Sequence, residues 1–83
     1  MKIKSNYLEK KGMSICEFRN KIVYELKNRK IYNLKTHVYK YYLKVNDTII
    51  NYRNLENKTI SEIVDFYIDD IVEGGKKYEE KED

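Results

Sequence analysis

The chain has no proline, tryptophan, alanine or glutamine, and its 83 residues include one cysteine, one histidine and three glycines. A lone Cys16 cannot close an internal disulfide, so a reducing, cytoplasmic setting inside a bacterial or virus-infected cell is expected. One histidine and one cysteine fall short of the about four N or S ligands that hold a structural zinc. No glycine-rich loop and no nucleophile elbow is present, so neither phosphate-cradling nor acyl-transfer chemistry has its usual frame. No apolar run reaches the roughly eighteen residues expected of a membrane span. The opening MKIKSNYLEKKG is basic but has no apolar stretch, so it does not read as a signal peptide. No catalytic residues, no metal and no cofactor are predicted.

Lys, Ile, Asn and Tyr supply 41 of the 83 residues. All four have A/T-dominated codons, which points to an AT-rich genome such as that of a low-GC bacterium, its phages and plasmids, or some archaeal viruses. That bias alone raises the number of lysines and tyrosines. The net charge of +3 hides an asymmetry: residues 1–44 carry twelve basic and three acidic groups, and residues 45–83 carry five and eleven. A chain divided in this way either neutralises itself on folding or shows two unlike faces to partners.

Two helices are written locally. Ser14 and Glu17 make a capping box ahead of the stripe Ile15, Phe18, Ile22 and Leu26, with Val23 at its edge. Arg29 and Lys30 suit the negative end of that helix. Thr59 and Glu62 make a second box ahead of Ile60, Ile63, Val64, Tyr67, Ile68, Ile71 and Val72, and Gly74-Gly75 reads as its stop. Between the helices, HVYKYYLKVNDTIINYR alternates with period two around Asn46-Asp47. A turn there pairs Val45 with Thr48, Leu43 with Ile50 and Tyr41 with Tyr52 on an inward face that Tyr39 and His37 continue. The outward face then sets Val38, Lys40, Tyr42 and Lys44 opposite Leu55, Arg53, Asn51 and Ile49. IYNLK at 31–35 extends the first strand or connects to it, MKIK is a candidate edge strand, and SNYLEKKG a helical turn closed by Gly12.

The expected fold is a small two-layer α+β domain, an antiparallel hairpin or three-stranded sheet covered by two helices in the order α-β-β-α. It spans residues 1–73, with 74–83 as a mobile acidic tail.

Leading into the first helix, YLEKKGMSICEFRNKI resembles the first two helices of phage-repressor helix-turn-helix domains at Gly12, Met13, Ser14, Glu17, Phe18 and Ile22. It departs at Arg19, where that family buries a small residue, and no glycine turn or recognition helix comes after Ile22. DNA binding is not carried over from it.

Two surfaces carry the functional expectations. On the second helix, Phe66 falls opposite the apolar stripe among Glu62, Asp69, Asp70 and Glu73, the arrangement of an aromatic anchor with a charged rim. Glu62, Asp65 and Asp69 also sit close enough on the helix to suggest a hard-cation site, which a solvated acidic face explains more simply. The second surface is basic. Lys40, Tyr42, Lys44 and Arg53 on the sheet, and Lys21, Tyr24 and Lys27 on the first helix, combine cations with aromatics as phosphate and base binders do; solvated lysines account for the same residues. Cys16 and His37 are expected on different elements beside core positions, a buried thiol and an inward or rim imidazole rather than a dyad. The chain is therefore expected to be a non-enzymatic binding protein, by analogy with phage and mobile-element inhibitors of host proteins or nucleoproteins such as defence nucleases (anti-CRISPR-like). Direct nucleic-acid binding and a dimerising, antitoxin-like regulator are the alternatives, and no membrane partner is expected.

Overall fold

The structure, a computed structural model, describes residues 8, 12–55 and 58–80. Helix α1 runs Ile15–Asn28, strands β1, β2 and β3 run Thr36–Val38, Tyr42–Val45 and Thr48–Asn51, and helix α2 runs Ile60–Glu80. The strands form one antiparallel sheet in the order β1-β2-β3. Both helices pack on one face of it, α1 against β1 and α2 against β3. The α+β two-layer fold expected from the sequence is the fold observed, with the sheet three-stranded. No helix among the described residues is long and apolar enough to cross a membrane.

Both capping boxes form. The Glu17 and Glu62 amides donate to Ser14 Oγ and Thr59 Oγ1, and the Ser14 and Thr59 amides donate back to the two glutamates. Two helix N-termini thus have their orphan N–H groups met by side chains three residues apart. At the other end of α1, the Ile31 amide donates to Leu26 O and the Lys30 amide to Lys27 O, a Schellman closure that requires Lys30 to adopt φ 69°. Phe18, Ile22 and Leu26 from α1 meet Leu43, Val45 and Ile50 from the sheet and Ile63, Val64 and Ile71 from α2, all essentially without exposure. Leu8 joins this core from the N-terminal side, and Gly12 adopts φ 61°. The candidate edge strand MKIK lies outside the described residues.

The register around Asn46-Asp47 is as expected, with Val45 opposite Thr48, Leu43 opposite Ile50 and Tyr42 opposite Asn51. Upstream the chain departs from the expectation. What reads as one strand from His37 to Val45 is two strands: Thr36, His37 and Val38 fold back on Val45, Lys44 and Leu43, and the Tyr39 amide donates to Tyr42 O across the bend. The fold-back reverses which alternate residues of β1 point inward, while β2 keeps Leu43 and Val45 buried as expected, and Tyr39 and Tyr41 fall in the bend. Tyr39, Tyr41 and His37 are therefore exposed rather than buried, and only Tyr52 of the inward tyrosines is in the core, its hydroxyl donating to Tyr39 O and its ring edge-on to Phe18. Past Asn51 the chain winds into a 3-10 turn at Tyr52–Asn54, which carries Leu55 into the core instead of onto the outward face.

The second departure is at Gly74-Gly75, which does not stop α2. The helix continues to Glu80 and both glycines are buried, so the expected boundary after residue 73 does not mark the end of the packed helix; 81–83 of the expected tail lie outside the described residues. A Cβ on Gly74 would lie 3.1 Å from Asn46 Cβ and Asp47 N, and one on Gly75 would lie 3.0 Å from Asn33 O. The β2–β3 turn nests in the notch these glycines leave. Asn46, 2% exposed and at φ 55°, locks it there. Its Oδ1 accepts from the Lys35 amide at 2.8 Å, and its Nδ2 donates to Asn33 O at 3.1 Å and Ile71 O at 2.8 Å. The 31–35 segment is thereby held as a connection, with the Asn46 amide donating to Lys35 O.

The third departure is Arg29. Rather than only complementing a helix end, it ties α1 to α2: its Nε donates to Glu25, and its terminal nitrogens donate to Asp65 and to Ser61 Oγ at 2.8 Å. That ion pair with Asp65 raises its already high pKa further, against the lowering effect of desolvation. After α1 the chain passes into a connection and a strand, so the resemblance to helix-turn-helix domains ends with that helix.

Candidate functional site

α2 is amphipathic in the strict sense that its stripe of Ile63, Val64 and Ile71 is buried while Glu62, Phe66, Asp69, Asp70 and Glu73 are exposed. Residues separated by three and four positions share one side of a helix, so these five expected site residues do form one continuous face. Phe66 is 73% exposed at its middle. Its ring meets Tyr67 edge-on at 4.9 Å, and Tyr67 in turn walls a groove of about 390 Å³ with Ile49, Asp47 and Asp70. Burial of the Tyr67 phenol pushes its pKa up. Ile49 and Asp47 were not part of the expected site. They reach it from β3 and the β2–β3 turn, and a helix-face pattern holds no signal for residues supplied by another element.

Asp69 and Asp70 make no ion pair among the described residues, whereas Glu73 sits 3.9 Å from Lys76 and Glu62 is occupied in its capping box. Asp65, the third member of the suggested cation cluster, is taken by Arg29. No group of three His, Cys, Asp or Glu among the described residues is arranged to hold a metal.

The basic expectation fares differently, because the fold scatters it. Lys40 is at the tip of the β1–β2 bend and Arg53 in the 3-10 turn, so they do not face each other across a ladder. Tyr42 and Lys44 remain on the outward sheet face, half-buried, with Lys44 between His37 and Ile49. There Tyr42 stacks on Tyr39 at 4.7 Å. Lys21, Tyr24 and Lys27 are exposed on α1 as expected, and Lys21 and Tyr24 line a shallow groove against Ile60 at the start of α2. None of Lys21, Lys27, Lys40, Lys44 and Arg53 forms an ion pair among the described residues. Among the described residues one ion pair, Arg29–Asp65, joins the basic first half of the chain to the acidic second half.

Cys16 is exposed at the start of α1, not buried, and His37 is exposed on the outer sheet face. No hydrogen bond joins them. In comparisons with known proteins, no family model, no curated protein and no solved structure matches this chain, so its function has to be argued from its own surfaces.

Proposed function

We propose that this protein is a non-enzymatic binding module whose Phe66 face docks on a partner protein, in the manner of a small phage or mobile-element inhibitor or regulator acting on a host protein or nucleoprotein. The observation that carries this is Phe66, 73% exposed at the centre of an acidic helix face that nothing in α1 or the sheet covers. Fully burying such a side chain is worth roughly 1.5–3 kcal/mol, and the fold leaves most of that gain to a partner. With Tyr67 beside it, Ile49 lining the adjoining groove with Tyr67, and Asp69 and Asp70 without an ion pair among the described residues, the face has the plan of an interface core with a charged rim. The rim is acidic, so the complementary surface is basic, as on a protein that itself binds nucleic acid. Such a rim steers encounter and makes association sensitive to salt.

The test is affinity capture from extracts of candidate bacterial hosts, run side by side with wild-type protein, Phe66→Ser and the charge reversals Asp69→Lys and Asp70→Lys. Because Phe66 is exposed, its substitution is expected to leave the fold intact, within about 0.5 kcal/mol. A partner retained by wild type should be lost with Phe66→Ser and weakened by the reversals and by added salt. Equal retention by all four proteins removes the proposal. Sedimentation analysis of the isolated protein closes the other route: a dimer that Phe66→Ser dissociates would assign the face to a second copy of this chain instead.

A further inference from the structure

On the opposite, basic side, α1 and the segment leading into β1 enclose a groove of about 300 Å³ to which no function is yet attached. Its helix wall is the row Arg19, Val23 and Lys27, spaced by four, and its other wall is Tyr32, Leu34 and Thr36. Val23 and Leu34 are half-buried and give it an apolar floor, while Tyr32 is 63% exposed at its rim. No acidic side chain lines it. The Arg19 Nε is anchored to Asn20 Oδ1 at 2.9 Å, and its terminal nitrogens have no partner among the described residues. Lys27 is exposed and forms no ion pair among the described residues.

We propose that this groove binds single-stranded nucleic acid, with Arg19 and Lys27 on phosphates and Tyr32 stacking a base between them. At 1.5 Å of rise per residue, Arg19 and Lys27 stand about 12 Å apart along the helix. A stacked strand advances about 3.4 Å per nucleotide, so the two cations are spaced for phosphates that are not adjacent, with a base free to turn inward. An apolar floor and an exposed aromatic rim suit that base, because every base has a π-face to stack. Paired bases in a duplex offer no such face, which selects the single strand. The outer sheet face is the weaker platform for the same ligand: the Tyr39 and Tyr42 rings are stacked on each other, 23° from parallel, and each already covers one face of its neighbour. This site is independent of the Phe66 face.

The experiment is fluorescence anisotropy of labelled single-stranded RNA and DNA of about ten nucleotides, within the roughly 4–16 nucleotide range of single-strand sites, with a duplex control and a salt series. Single strands should bind in preference to the duplex. Each phosphate contact contributes about 0.7 to the log–log salt slope of a single strand, so the double variant Arg19→Gln/Lys27→Gln should flatten that slope by about 1.4. Tyr32→Ser should weaken binding roughly tenfold with the slope unchanged, the separation expected of stacking from charge. Phe66→Ser and Lys44→Gln should bind as wild type. Far-UV circular dichroism confirms that each variant is folded. The proposal is overturned by absence of binding at low salt, by equal affinity for the duplex, by an unchanged slope in the double variant, or by a larger loss from Lys44→Gln than from the groove pair.

Discussion

Replacing Asn46 by alanine should be among the most damaging single changes outside the apolar core, and its cost can be assembled from the structure. The side chain makes three hydrogen bonds, to the Lys35 amide, Asn33 O and Ile71 O. Each is worth about 0.5–1.5 kcal/mol net. The lower part of that range applies, because Asn33 and Lys35 lie near solvent and Ile71 O sits in a helix that supplies it with another donor. Alanine must also hold the left-handed backbone that Asn46 adopts at φ 55°, which costs an L-residue of this kind roughly 1 kcal/mol. The sum is about 3 kcal/mol, a quarter or more of the roughly 4–12 kcal/mol expected of a domain this size. Urea unfolding followed by far-UV circular dichroism reads it: with m near 1 kcal/mol/M, the midpoint should fall by about 3 M. Asn46→Gly isolates the two contributions, since glycine accepts the backbone and loses only the hydrogen bonds, and it should recover roughly 1 kcal/mol. Asn46→Asp keeps the acceptor for the Lys35 amide but turns lone pairs toward two carbonyls, so it should be at least as damaging as alanine at neutral pH. If the alanine and glycine variants both unfold within about 0.5 kcal/mol of wild type, an ordinary surface value, the Asn46 side chain does not hold the turn to α2.

Three further changes probe the same framework. Gly75→Ala gains up to about 1 kcal/mol of helix propensity but drives a Cβ to 3.0 Å from Asn33 O; overpacking of about 1–3 kcal/mol should win, so a urea midpoint above wild type would refute the close-approach role. Lys30→Gly relieves the left-handed position in the Schellman closure at φ 69° and should stabilise by roughly 0.5–1 kcal/mol, read by thermal unfolding. Tyr52 has its phenol pushed up to about 12, first by burial and then by the charge of nearby Cys16. A pKa raised above the unfolded value of about 10 means that its stabilisation is complete below pH 10 and is lost as pH climbs toward 12. Wild type should therefore lose stability over that window, and Tyr52→Phe, weaker at neutral pH by about 1 kcal/mol for the missing hydrogen bond to Tyr39 O, should show a shallower decline.

What could be read in advance was what depends on neighbours in sequence. The capping boxes at Ser14/Glu17 and Thr59/Glu62 join residues three apart. The stripes on both helices recur with the helical period, and the Asn46-Asp47 turn fixes its own register. The Phe66 face was legible for the same reason, since a helix carries its geometry with it. The bend at Tyr39–Tyr42 escaped because Tyr-Lys-Tyr-Tyr contains no Gly, Asn, Asp or Pro, and tyrosine is a strong strand former. A reversal there leaves the alternation looking unbroken while exchanging inward for outward, and it dispersed the Lys40–Arg53 cluster. Nor does any local pattern show that Arg19, Lys27 and Tyr32 line one groove, because their juxtaposition depends on how the connection after α1 is laid against it.

By itself, then, the sequence determined the two helices, their starts, the central turn, the α+β class and the opposition of a basic first half to an acidic second half, all properties of short range or of composition. Tertiary structure alone decided the meaning of residues whose partners are distant. Gly74-Gly75, an apparent helix stop, is a notch for the Asn46 turn; Arg29, an apparent dipole partner, clamps two helices; Tyr39 and Tyr41, expected to point inward, face solvent. Packing overrides a local preference of about 1 kcal/mol, such as glycine's bias against helix interiors, when several buried contacts meet at the same place. At Gly74, Gly75 and Asn46, three elements do meet.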